Sequence, residues 1–190
     1  RINFEKNSDL VTAEKRYEQA IEIYAELAPN SKAHAKALYH RGQLALQQND
    51  ITKAEELFQK SKNMGYKIAK AEIYNIEAIS NDLPPNKAIE KYDEALKIDP
   101  KNINAKLGKA KQIEINSDNI INPIEYDKSL TLVREVLSQN PKHIDSLKYR
   151  NELQRKLSRV LAKNIVENLI DRTEDFDKAE TISWIDAFGG

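Results

Sequence analysis

The stretch 87-KAIEKYDEALKIDPKN-102 decides the fold. Ala88, Tyr92 and Ala95 stand four and three residues apart and so share one face of a helix. Asp99-Pro100 ends that helix, because proline cannot continue it and disfavours helical geometry in the residue before it. A small–large–small face suits a helix pressed closely against two neighbours. Working outward, the alanine recurs at Ala20 and Ala54, so that two successive intervals are 34 residues long. An aromatic lies four residues beyond each alanine: Tyr24, Phe58 and Tyr92.

This pattern resembles the second helix of the tetratricopeptide repeat, a helix–turn–helix unit of about 34 residues with an A-x3-F element. The resemblance implies an all-α, tetratricopeptide-type solenoid of about nine helices in a right-handed superhelix, with a longer C-terminal helix pair. A single domain over 1–190 is expected, with a partial repeat at 1–30 and repeats at 33–66, 67–100 and 101–142, the last carrying an insertion. The terminal pair then occupies 143–190. One hairpin buries too little apolar surface to fold alone, so repeats share stability and the ends need caps.

Bulk composition fits. Lys plus Arg equals Asp plus Glu at 30 each, so no net field favours nucleic acid or an anionic membrane. Apolar residues make up 40% and charged ones 32%, as expected for amphipathic helices around a thin core. The absence of cysteine excludes disulfides and thiolate sites and is compatible with a reducing compartment, so a cytoplasmic location is expected. No apolar run approaches the ~20 residues that a bilayer requires, and membrane insertion is not expected. The chain opens on Arg1 rather than methionine, which makes it a candidate piece of a longer protein.

Along the chain, residues 1–8 read as the remnant of a first helix, with a turn and cap at Asn7-Ser8-Asp9 and a second helix over 9–28. Asn30-Ser31 caps a helix over 32–48 that carries Leu38, Gly42 and Ala45 on its packing face. Gly42 is poor inside a helix, by about 1 kcal/mol against alanine, and makes sense where another helix crosses closely. Asp50 caps the partner helix at 51–63. A helix over 67–81 follows, in which Glu77 departs from the small residue of the motif, and Pro85 opens the next helix at a first-turn position. Asn102 is expected as a cap for a helix over 103–116. Ser129 stands in the place of the period-marking alanine, 41 residues beyond Ala88, so seven extra residues fall within 117–126. Asn122, Pro123 and Glu125 supply cap, first-turn proline and capping-box acid for a helix ending near Gln139. Residues 144–170 read as one long helix with room for a break near Arg159, and Thr173 caps a last helix over 174–188.

No catalytic constellation emerges. His34, His40 and His143 are the only histidines, and no metal-ligand spacing or Gly-rich phosphate loop accompanies them. No cofactor or metal is expected. The resemblance instead points to the concave groove lined by the first helix of each unit. Carried over by position, its groove residues are Tyr39, His40, Gln43, Tyr74, Asn75, Asn104 and Lys111. Tyrosine gives rigid apolar area with a hydroxyl, and asparagine both donates and accepts. The clamp that chaperone-binding members use for a C-terminal carboxylate needs Lys and Asn, then Asn, then Lys and Arg. Here those places hold Tyr39, Gln43, Asn75, Asn104 and Gly108 in one frame, and Glu5, Asp9, His40, Ala71 and Asn75 in the other. The cationic pair is missing from both, so chaperone tails are disfavoured as partners.

The leading expectation is a protein–protein interaction scaffold or adaptor that binds a peptide or helix of a partner. The alternative is a targeting or regulatory region of a larger enzyme or secreted effector. Self-association through the end helices is a third possibility, because an incompletely capped stack exposes apolar surface. Ile120 and Ile121 in the insertion read as a tucked or contact loop, and Trp184 and Phe188 as the seal of the open end. The Gly189-Gly190 terminus, with no β pattern before it, reads as a frayed end.

Overall fold

Apolar side chains three and four residues apart need a second surface, and helices supply it to one another here. The computed structural model describes residues 2–79, 83–118 and 122–172, with 2–8, 117–118 and 168–172 described as backbone only. Every regular element among them is an α-helix: α1 (Ile2–Leu27), α2 (Lys32–Gln47), α3 (Ile51–Asn63), α4 (Ile68–Ala78), α5 (Pro85–Ile98), α6 (Ile103–Asp118), α7 (Pro123–Gln139) and α8 (Ile144–Arg172). The last expected helix, with Trp184 and Phe188, lies outside the described residues, as do Ile120, Ile121 and Gly189-Gly190.

One boundary differs from the sequence expectation, at the start of α1, while α8 is the one long helix expected. No turn interrupts α1 at Asn7-Ser8-Asp9. Those residues disfavour a helix interior by only about 0.7 kcal/mol each, and without Gly or Pro nothing breaks the hydrogen-bond ladder. For the same reason α8 runs through Arg159 unbroken.

The turns follow local chemistry. Asn30 and Asn49 adopt left-handed backbone at φ 65° and 62°, which asparagine tolerates, and Gly65 does so at φ 87°. Ser31 accepts from the His34 backbone N–H at 3.1 Å to cap α2, and Asp50 from Lys53 at 3.0 Å to cap α3. Asn122 caps α7 through the Ile124 N–H at 3.0 Å, while the Glu125 carboxylate pairs with Lys128 at 2.6 Å. His143, which the sequence did not suggest as a cap, accepts from the Ser146 N–H through Nδ1 at 3.2 Å and so caps α8.

The chain divides into two compact units, Arg1–Leu83 with Glu90–Asn102 and Pro84–Ile89 with Ile103–Gly190. In the first, α1 packs on α2, α2 on α3 and α3 on α4. Its core holds Tyr39, Ala45, Ala54, Phe58, Ala69, Ile73 and Ile76. Gly42 is where α2 meets the fully buried Phe58 ring. A Cβ there would lie 2.7 Å from Phe58 Cε1, so the glycine is required by close approach. Glu77 avoids burial by pairing with Lys91 at 2.6 Å. The period-marking residues of α3 and α5, Ala54, Phe58, Ala88 and Tyr92, are buried, whereas Ala20 and Tyr24 of α1 are only partly so.

In the second unit α6 packs on α7 and α7 on α8, around Ala110, Tyr126, Leu130, Val133, Tyr149 and Leu153. Ser129, in the alanine place, is fully buried, and its hydroxyl donates to the Ala110 carbonyl at 2.9 Å. Ser61 does the same to the Ala35 carbonyl in the first unit, at 2.6 Å. Burial of each hydroxyl is thus matched by a hydrogen bond across its hairpin.

Candidate functional site

Four of the seven residues expected at the groove meet in the first unit. α2 contributes Tyr39, His40 and Gln43 from adjacent turns, and α4 contributes Asn75. They join around a residue that the sequence reading did not single out, Glu72, which is only 2% exposed. The Tyr39 hydroxyl donates to Glu72 Oε1 at 3.3 Å, and Asn75 Nδ2 donates to Oε2 at 3.0 Å. Asn102 Nδ2 donates to Oε1 at 3.1 Å, and Asn102 Oδ1 accepts from Asn75 at 3.2 Å. On the outer side Gln43 Nε2 donates to the Tyr39 hydroxyl at 2.8 Å, and Gln43 Oε1 meets His40 Nδ1 at 3.0 Å.

Among the described residues no cation contacts Glu72. Burial pushes its carboxyl above the ordinary carboxylate range, opposed by the hydrogen bonds from Asn75, Asn102 and Tyr39, while the Asp99 charge adds to the rise. Burial likewise raises the Tyr39 phenol, with the Glu72 carboxylate adding to the effect. Asn75 Oδ1 is buried without a hydrogen-bond partner.

Tyr39 and Asn75 are therefore buried, at 7% and 5% exposure, and the Tyr39 hydroxyl and the Asn75 amide nitrogen bond within the chain. The Tyr39 ring packs on Phe58 and Tyr66 with centroids 5.6 and 5.1 Å apart. His40 and Gln43 are partly exposed. They line an open groove of about 360 Å³ between α1 and α2, with Asp9, Tyr17, Leu44 and Gln47. The His40 ring stacks on Tyr17 at 5.8 Å. α1 is held there by Arg41, nearly fully buried, which pairs with Glu14 and with Glu18, the latter at 3.2 Å. Glu14 is held below the ordinary carboxylate range, first by its hydrogen bond from Gln48, which outweighs the opposing effect of burial, and then by the smaller contributions of the Arg41 and Lys53 charges.

The other three expected residues make none of this cluster's hydrogen bonds, and two of them, Asn104 and Lys111, belong to the second unit. Tyr74 on α4 is partly buried between Lys70 and Lys91, whose ammonium groups sit 5.3 and 5.5 Å from its ring. Asn104 and Lys111 on α6 are exposed, with the Lys111 ammonium 6.0 Å from the Tyr149 ring. The second unit has its own buried carboxylate: Glu114 accepts from the Tyr149 hydroxyl at 2.6 Å and pairs with Lys156.

A signal for Glu72 was present in the period. It falls 34 residues after Leu38, so a carboxylate occupies the register of a core leucine, and both are buried.

Residues 3–65, which run from α1 to just beyond α3, match the family model described as tetratricopeptide repeat. That stretch belongs to the tetratricopeptide repeat family, whose repeats generally mediate protein–protein interaction. Comparison with curated proteins finds no match to the chain. No helix among the described residues is long and apolar enough to cross a membrane.

Proposed function

We propose that the chain is an interaction scaffold or adaptor that takes a peptide or helix of a partner protein against exposed helix faces, those of α2 and α4 in the first unit and that of α6 in the second. The observation that carries this reading is the α1–α2 groove, where half-exposed His40 and Gln43 stand on a buried hydrogen-bonded base. Such an arrangement holds exposed side chains in fixed rotamers, which lowers the entropy lost on binding. Tyr74 on α4 is a further contact in the first unit, where Tyr39 and Asn75 give support from below, and Asn104 and Lys111 on α6 are contacts of the second unit taken by itself.

The test is affinity capture with the purified chain, followed by calorimetry on whatever protein is retained. The pair His40→Ala with Gln43→Ala, and separately Tyr74→Ala with Lys111→Glu, are expected to weaken that affinity at least about tenfold while the circular dichroism spectrum stays the same. Full affinity in both double variants removes these faces from consideration.

A further inference from the structure

The hydrogen-bond chain of the first unit has a direction. A carboxylate only accepts, so with Glu72 charged the Tyr39 hydroxyl gives its proton to Oε1. The Tyr39 oxygen then accepts from Gln43 Nε2 at 2.8 Å, which turns the amide oxygen of Gln43 toward His40 Nδ1 at 3.0 Å. An amide oxygen also only accepts. His40 Nδ1 therefore carries the imidazole proton, and in the neutral ring the lone pair falls on Nε2. Among the described residues Nε2 makes no hydrogen bond, and the ring lines the groove against Tyr17. A solvated histidine side chain prefers the opposite arrangement, with the proton on Nε2.

We propose that Glu72 is a positioning residue that, through Tyr39 and Gln43, fixes His40 as a hydrogen-bond acceptor at the α1–α2 groove, so that this groove selects a donor, a lysine or arginine side chain of the partner. The selectivity part rests on the reading of this face as a docking surface; the tautomer part does not. Charge runs the same way. Among the described residues Asp9 is the one charged residue in the groove lining, and Glu72 lies behind it with Asp99 as a second negative neighbour. Were Glu72 neutral, its carboxyl O–H would donate a hydrogen bond to the Tyr39 oxygen, each link would turn round, and His40 would offer an Nε2–H donor instead.

Histidine side-chain 15N NMR on the full chain, at a pH of about 8 where imidazole is neutral, reads this without any partner. His40 is expected with its proton on Nδ1. In Tyr39→Phe, and in Glu72→Leu, which removes the acceptor and restores the leucine of the Leu38 register, the relay is cut and His40 moves to the Nε2–H form, while His34 and His143 keep their signatures. Gln43→Leu, at a partly exposed position that the fold tolerates, is expected to give the same change, and Gln43→Glu to retain the Nδ1 proton. An Nε2–H form in the wild type, or an Nδ1–H form that survives all three cuts, overturns the relay. Titration with butylammonium and with butyrate then tests selectivity. The His40 resonances are expected to saturate at about tenfold lower butylammonium than butyrate, and Tyr39→Phe to lose that preference. Equal preference, or no saturation by either ion, overturns donor selection. A captured protein that binds His40→Ala/Gln43→Ala with full affinity sinks the docking reading alone, leaving the tautomer result standing.

Discussion

At Gly42 the chain uses the absence of a methyl group as a fitting. Alanine there would gain about 1 kcal/mol of helix propensity, but its Cβ would stand 2.7 Å from a ring that is fully buried and has nowhere to go. Overpacking of this kind costs about 1–3 kcal/mol. Gly42→Ala is therefore expected to be net destabilising, by up to about 2 kcal/mol in urea unfolding, and to be partly rescued by Phe58→Leu. A neutral or stabilising Gly42→Ala would show that α2 and α3 are further apart than described. Two carboxylates make opposite predictions with pH. Glu72 has a folded pKa above its unfolded value, so the native state holds the proton more tightly; its contribution is full below the unfolded value and is lost as pH rises through the folded one. Wild type should gain stability relative to Glu72→Gln as pH falls from neutral toward about 4. Glu14 is depressed, chiefly by Gln48, so its contribution is present at neutral pH and lost as pH falls through its folded value. The gap between wild type and Glu14→Gln should close in acid. Gly42 was legible in the sequence, because a helix tolerates an interior glycine where backbones crowd. Glu72 was legible by register alone, 34 residues after Leu38, and not by residue type, because a glutamate on an amphipathic helix ordinarily marks a solvated face and only packing brings it the donors Tyr39, Asn75 and Asn102.

Helices that share a repeat position do not share an environment. Phe58 on α3 and Tyr24 on α1 occupy the same place in the 34-residue period, yet Phe58 is fully buried and Tyr24 partly exposed. Phe58→Ala is expected to cost about 3–5 kcal/mol and Tyr24→Ala about 1 kcal/mol or less, measured by the same urea titration. Comparable losses at both positions would mean that α1 is covered on that face. The cap of α3 is worth testing on its own, since Asp50→Ala should cost about 1 kcal/mol. Element boundaries from α2 to α7 were readable within a few residues because caps and prolines, such as Asp50, Pro85 and Asn122-Pro123, sit where the chain turns. The start of α1 was not readable: Asn7-Ser8-Asp9 is cap chemistry in any context, and local sequence does not tell whether the chain uses it. The burial of Ser129 was similarly hidden, because its compatibility with the core depends on a carbonyl of α6 that only packing brings to it.

For the whole molecule, the period of the sequence and the partition of the packing are out of step. The repeat expected at 67–100 contains α4 and α5, but the boundary between the two compact units passes through α5, leaving Pro84–Ile89 with the second unit and Glu90–Asn102 with the first. Fragments 1–102 and 84–190 are each expected to show cooperative thermal unfolding by circular dichroism. A fragment 103–190, which lacks those six residues, should melt at lower temperature than 84–190. Equal melting of the two C-terminal fragments would place α5 wholly outside the second unit. The 34-residue spacing was visible because alanine and aromatic recur in register; the partition was not, because spacing reports which residues are alike rather than which are packed together. Genetic shuffling would feel the difference. A duplication or deletion of one repeat preserves the phase of the alanines, yet its breakpoint near residue 100 would take from each body the α5 residues it relies on, so the length of this array is harder to change by recombination than its periodic text suggests.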